Sequence, residues 1–106
     1  MSTFYLKSND TSPSITATLR DAEGTLIDLT GASVNFHMYD ADGTVKVDAA
    51  AVVADNDGVV RYDWIAADTD TVGVFYAEFE VTYADGTVET FPNTTNIKVK
   101  IRDDLA

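Results

Sequence analysis

The chain has 106 residues, enough for one domain and no second core. It carries 18 acidic residues against 7 basic ones, a formal net charge of −11, and no cysteine. That balance repels phosphate backbones and argues against nucleic-acid binding. The missing thiols exclude a disulfide framework, thiolate chemistry and a cysteine-based metal site.

Met1 to Asp10 lacks a basic segment followed by an apolar core, so a Sec-type leader is not expected. No run approaches the ~20 apolar residues of a membrane helix, so no membrane partner is expected. Phe4, Tyr5 and Leu6 form a short apolar start, read as an edge strand or as a docking arm within residues 1–7 that completes a neighbour's sheet. After polar residues up to Pro13, Ser14–Arg20 alternates with Ile15, Ala17 and Leu19 inward, the period of a half-buried strand. A turn leads into Leu26–Leu29, and a corner near Gly31 opens a strand with Val34, Phe36 and Met38 inward and Asn35, His37 and Tyr39 outward.

Val45–Val53 reads as a weaker strand broken by Ala49, Ala50 and Ala51. Asn56-Asp57-Gly58 reverses the chain into a strand with Val60, Tyr62 and Trp64 on one face, Trp64 being a core residue if its indole N–H finds an acceptor. Ile65–Val72 loses the alternation, as a helical turn or a crossing loop would. The clearest pattern follows in Gly73–Pro92, a hairpin with Phe75, Ala77, Phe79, Val81 and Tyr83 inward and Tyr76, Glu78, Glu80 and Thr82 outward. The strand Thr95–Arg102 closes the chain with Ile97, Val99 and Ile101 inward and Lys98, Lys100 and Arg102 outward. About seven short strands with turn signals every 8–12 residues describe a single all-β, immunoglobulin-like antiparallel sandwich spanning residues 1–106.

Chemistry is sparse on this scaffold. His37 is the sole histidine and falls on an outward strand position, and no Ser or Thr has a base near it in sequence; the chain reads as no enzyme and takes no cofactor. Fourteen of the acidic residues are Asp. The clusters Asp40–Gly43, Asp55–Gly58 and Asp68–Asp70 offer oxygen donors for Ca²⁺, but none continues into an EF-hand loop, and Asp, Asn and Gly also serve turns. The acidity has two open sources, those turns and a surface adapted to high salt, where screening shortens the Debye length to about 3 Å. The outward residues Phe4, Tyr5, Tyr39, Tyr76, Glu78, Glu80, Lys98 and Lys100 are the candidate protein-contact set, with Phe91 a further outward aromatic. The lysines could instead balance Glu78 and Glu80 across the sheet.

Several stretches carry a likeness. Leu19-Arg20-Asp21-Ala22-Glu23-Gly24 and Asp28-Leu29-Thr30-Gly31-Ala32-Ser33-Val34-Asn35-Phe36 resemble the N-terminal immunoglobulin-like domain of phage baseplate upper proteins. Tyr62-Asp63-Trp64, Asp68-Thr69-Asp70-Thr71, Tyr76-Ala77-Glu78-Phe79-Glu80-Val81 and Thr90-Phe91-Pro92 continue it in order. The resemblance implies a non-enzymatic structural protein of a tailed virus, assembled in the host cytoplasm and located in the virion. It would dock in many copies onto baseplate, tail or capsid proteins. The larger family members add a coiled coil and a receptor-binding platform beyond the point where this sequence stops, and the acidic surface would suit a halophilic host. The alternative is a carbohydrate- or cell-surface-binding sandwich using Tyr39, Tyr76 and the acidic loops.

Overall fold

The computed structural model describes residues 3–92 and 97–103. Within them the chain forms nine strands: β1 (Thr3–Lys7), β2 (Ile15–Thr18), β3 (Ser33–Asp40), β4 (Val45–Ala50), β5 (Val52–Asp55), β6 (Val59–Tyr62), β7 (Gly73–Thr82), β8 (Val88–Phe91) and β9 (Ile97–Arg102). A single 3₁₀ turn over Ala66–Asp68 interrupts them where the alternation lapses. None of the described helices is long and apolar enough to cross a membrane.

The strands pack as two sheets of unequal size. The larger runs β1-β9-β7-β3-β4, and the smaller runs β2-β6-β5. β7 is the axis of the larger sheet because it has the longest unbroken alternation. It pairs with β3 from Ser33↔Thr82 to Asp40↔Phe75 on one side. On its other side β9 takes Gly73–Ala77 and β8 takes Phe79–Thr82. The sandwich is the immunoglobulin-like, all-β architecture that the alternation and turn spacing predict, with one pair departing from antiparallel order. β1 lies parallel to β9, from Thr3↔Lys98 to Lys7↔Arg102. No hairpin joins these two strands, so nothing forces the antiparallel direction on them. Of the two readings of the N-terminal segment, the edge strand is the one present, with Leu6 buried and its backbone engaged by β9.

The run Val45–Val53 is two strands and not one. β4 belongs to the larger sheet and β5 to the smaller, and the chain changes sheets at Ala51, whose N–H donates to the Val34 carbonyl at 2.8 Å. The small Ala side chains permit that crossing close to the core. Leu26 makes only an isolated bridge to Arg20.

The turns Ala22-Glu23-Gly24-Thr25, Ala41-Asp42-Gly43-Thr44 and Ala84-Asp85-Gly86-Thr87 share one hydrogen-bond pattern. Asp21, Asp40 and Tyr83 each donate an N–H to the carbonyl of Thr25, Thr44 and Thr87 at 2.8–2.9 Å, and accept from Gly24, Gly43 and Gly86 at 2.9–3.0 Å. The carboxylates serve the same turns. Asp40 Oδ1 accepts from the N–H groups of Asp42 and Thr44, and Asp21 Oδ1 from those of Glu23 and Thr25. Asp55 and Asp85 likewise cap Asp57 and Thr87. This is the local chemistry that makes Asp a turn residue.

Between the sheets lies an aromatic cluster. Phe36 stacks on Tyr62 with centroids 4.5 Å apart and planes 9° from parallel, and Trp64 meets both rings edge-on at 5.4–5.5 Å. Phe79 closes the group 5.2 Å from Phe36. Trp64 takes its predicted core position, but its indole N–H finds no acceptor among the described residues. The 3₁₀ turn instead supplies an acceptor to Tyr62, whose hydroxyl donates to the buried Asp68 carboxylate; the Ile65 N–H donates to the same oxygen at 3.0 Å. Asp68 is thus structural, and Asp70 pairs separately with Lys46 at 2.6 Å.

Burial pushes the Tyr62 hydroxyl far above the usual phenol range, with the Asp68 hydrogen bond adding to it. Burial and the Glu89 acceptor push Tyr83 up to about 12. A phenol held neutral in the folded state but free to ionise near pH 10 once unfolded stabilises the fold below pH 10. That contribution fades as pH rises from about 10 through the folded-state value. The melting temperature should therefore be level from pH 8 to about 9.5 and fall steadily above it. Tyr83→Phe should flatten part of that fall, which a series of thermal melts would show; an identical slope in the variant contradicts the assignment.

Candidate functional site

The outer face of the larger sheet gathers what the sequence scattered. Alternation turns Phe36, Met38, Phe75, Ala77, Phe79, Val99 and Ile101 into the core, which obliges their neighbours to face outward. Register then sets the neighbours side by side. One row across the sheet runs Thr3, Lys98, Tyr76, Tyr39 and Val45. A second row, one step along, holds Glu78, His37 and Asp48, and Asn35 pairs with Glu80 beyond it. On the other side Tyr5 and Val74 flank Lys100.

Seven of the eight candidate contact residues thus share this face: Tyr5, Tyr39, Tyr76, Glu78, Glu80, Lys98 and Lys100. Tyr5 is the most open of the aromatics, 55% exposed, and the Arg102 guanidinium lies 4.9 Å from its ring centroid. Tyr39 and Tyr76 are half-buried neighbours. Burial and the nearby Glu78 charge raise the Tyr39 hydroxyl above its usual range.

Phe4 does not join them. It points toward the smaller sheet, half-buried and 6.1 Å from Trp64. Phe91, expected outward, is buried at 3% exposure opposite Phe79. β8 is four residues long, too short for its alternation to fix which face is inward.

Charge on this face is segregated. Lys7, Lys98, Lys100 and Arg102 collect on β1 and β9, four of the chain's seven basic residues. Two of the remaining three, Lys46 and Arg61, are paired with Asp70 and Asp63. The lysines do not balance Glu78 and Glu80, because register places Lys98 opposite Tyr76 and Lys100 opposite Val74. The acidic side is occupied by a residue the contact set omitted. His37 places Nε2 3.2 Å from Asp48 and Nδ1 4.0 Å from Glu78, spanning three strands. Outward alternation located His37 in the sequence, but its carboxylate neighbours depend on strand order, which one sequence does not display.

His37 faces carboxylates among the described residues, Asp48 and Glu78. Among the described residues no group of three or more His, Cys, Asp or Glu side chains is arranged to hold a metal.

These features define an immunoglobulin-like β-sandwich with one mixed-charge, tyrosine-bearing sheet face. No family model matches the chain, and no curated protein matches it. Among solved structures, it is similar to the crystal structure of CopC from Methylosinus trichosporium OB3b, with a TM-score of 0.58 and 14% identity over 100% of this chain and 89% of that one. At that identity the likeness shows the fold.

The comparison corrects the baseplate resemblance. The fold leads to CopC, and no family model supports a phage protein. The stretches behind the resemblance are sandwich grammar, Asp-Gly turns and alternating strands, which unrelated sandwiches share. The expectations of a virion structural protein, of a virion location and of a halophilic virus fall with it, and the sugar-binding alternative gains no support.

Among the described residues the donors do not converge as a copper-type centre needs. The two ring nitrogens of His37 face different carboxylates, Asp48 and Glu78, no cysteine is present, and Met38 is fully buried in the apolar core.

Proposed function

We propose that this chain is a non-enzymatic protein-binding module that docks an acidic protein surface on the β1–β9 half of its larger sheet. The observation that carries it is the gathering of Lys7, Lys98, Lys100 and Arg102 beside Tyr5 and Tyr76 in a chain of net charge −11. Tyrosines with arginine supply contact area at low entropic cost, and segregated charge selects a complementary partner and speeds encounter. Glu78, Glu80 and Asp48 then border the patch and repel an acidic partner that docks off-register.

The test has two steps. A photo-crosslinking side chain in place of Tyr76 identifies the partner, with the same group at exposed Val52, on β5 of the smaller sheet, as control. The purified partner is then titrated against the native chain and against Lys98→Glu/Lys100→Glu. The double variant should bind about 10–100-fold more weakly at 0.15 M salt, the difference shrinking as salt rises. Equal labelling from Val52, or a partner that binds the double variant as well as the native chain, contradicts the proposal. Self-association that the same variant abolishes would make the acidic partner a second copy.

A further inference from the structure

Independently of that face, we infer that the open edge of β2 is a receptor for an extended segment of a partner polypeptide, which adds as a fourth strand to the smaller sheet. Among the described residues β2 is the outermost strand of that sheet, paired only with β6. The Leu19 N–H donates to the Gly58 carbonyl at 2.7 Å, which fixes the phase of the ladder. In an antiparallel pair the hydrogen-bonding residues alternate, so the backbone groups of Thr16 and Thr18 point away from β6. Both residues are exposed.

Beside this edge a groove of about 700 Å³ opens between β2 and the larger sheet. Phe79 and Phe91 line it but are already buried, so its reachable apolar surface is that of half-buried Phe4, Ala17, Pro92 and Ile97. An edge of unpaired backbone donors and acceptors beside such a surface is what an added strand needs. Main-chain hydrogen bonds give it affinity, and alternate apolar side chains rest on Phe4, Ala17, Pro92 and Ile97.

The lining also specifies the occupant's charge. Among the described residues no carboxylate lines the groove; its charged lining residue is Arg20, just past the end of β2. One Arg20 N–H donates to the Gly24 carbonyl at 3.0 Å, which leaves further guanidinium donors for a ligand. The matching segment alternates apolar and small polar residues and carries a carboxylate at the end beside Arg20. An acidic residue elsewhere along it would meet the field of a −11 protein with no partner.

The test uses the full isotopically labelled chain and a panel of synthetic octapeptides. Val, Ile, Leu or Phe alternates with Thr, with Glu at one end or the other. Controls are scrambled peptides and peptides N-methylated at alternate residues. An alternating peptide should shift the Thr16 and Thr18 amides and slow their hydrogen exchange about tenfold or more, and the N-methylated form should not. Thr16→Pro removes an edge donor at a position where a strand tolerates proline. It should leave the thermal melt near that of the native chain and weaken peptide binding about tenfold. If that variant does not fold, the N-methylated peptides still decide the question. Silence from every peptide at millimolar concentration, shifts confined to the Lys98–Lys100 face, or undiminished binding to folded Thr16→Pro overturns the inference. So does protection of Thr16 and Thr18 that grows with protein concentration alone, which would assign the edge to a second copy.

Discussion

Replacing Gly58 with alanine is expected to cost about 2–4 kcal/mol, far more than the same change at Gly24. Gly58 has φ +93°, a left-handed conformation that an L side chain adopts at a cost of roughly 1–2 kcal/mol. Gly24 has φ +85° and pays that same term, but a Cβ there would meet nothing within 4 Å. At Gly58 the Cβ would lie 2.7 Å from the Leu19 carbonyl oxygen and 3.2–3.3 Å from the Ile27 oxygen and nitrogen. These are backbone atoms bound to each other, the Ile27 N–H donating to the Leu19 carbonyl at 3.0 Å, so none can rotate aside. The end of β2 would have to move as a unit, with the loss of the Leu19–Gly58 hydrogen bond. Parallel urea titrations of the two variants measure the clash by difference. A Gly58→Ala chain no less stable than Gly24→Ala would show that the β2 end is free to shift, and would weaken the case for a preformed edge there.

Gly58 also marks where sequence reading succeeds and where it stops. Asn56-Asp57-Gly58 announces a reversal, but nothing local shows that Leu19 and Ile27 crowd around it, because they arrive from another part of the chain. Alternation behaves the same way. It identifies the inward residues of β3, β7 and β9 correctly, since each strand is long enough to fix its own phase. It cannot say which sheet a strand joins. Val45–Val53 reads as one weak strand broken by Ala49, Ala50 and Ala51, and nothing local shows that the chain changes partners at that break.

The contact face divides similarly. That Tyr39, Tyr76, Glu78 and Lys98 face outward is local information. That Lys98, Tyr76 and Tyr39 form one row is set by register between strands that begin up to 64 residues apart (Ile97 less Ser33). The parallel placement of β1, which brings Tyr5 and Lys7 to the same patch, has no turn signal to announce it. Asp68 shows the converse. Its sequence setting, Asp68-Thr69-Asp70, suggests a surface ligand cluster, whereas a partner six residues back, Tyr62, draws its carboxylate into the core. An acidic loop therefore says little about its own exposure until the neighbouring strand is placed.

The deepest loss should follow from Phe36→Ala, at about 3–5 kcal/mol. Phe36 is fully buried where the aromatic rings of both sheets meet, touching Tyr62 and Trp64 on one side and Phe79 on the other. Removing its ring forfeits the transfer energy, three aromatic contacts of roughly 0.5–1.5 kcal/mol each at most, and the packing of the void left behind. The void should persist, because Tyr62, the neighbour best placed to fill it, is tethered through its hydroxyl to Asp68. Trp64→Phe makes a sharp comparison on the same cluster. It loses ring area but also removes a buried N–H that has no acceptor among the described residues, and such a donor costs about 1–3 kcal/mol to bury. The two changes offset, so Trp64→Phe should fall within about 1.5 kcal/mol of the native chain. Urea denaturation of both variants orders them. Equal costs would mean that the indole N–H is satisfied in solution, and a Phe36→Ala cost under about 1.5 kcal/mol would mean that the tether yields and the sheets close over the gap.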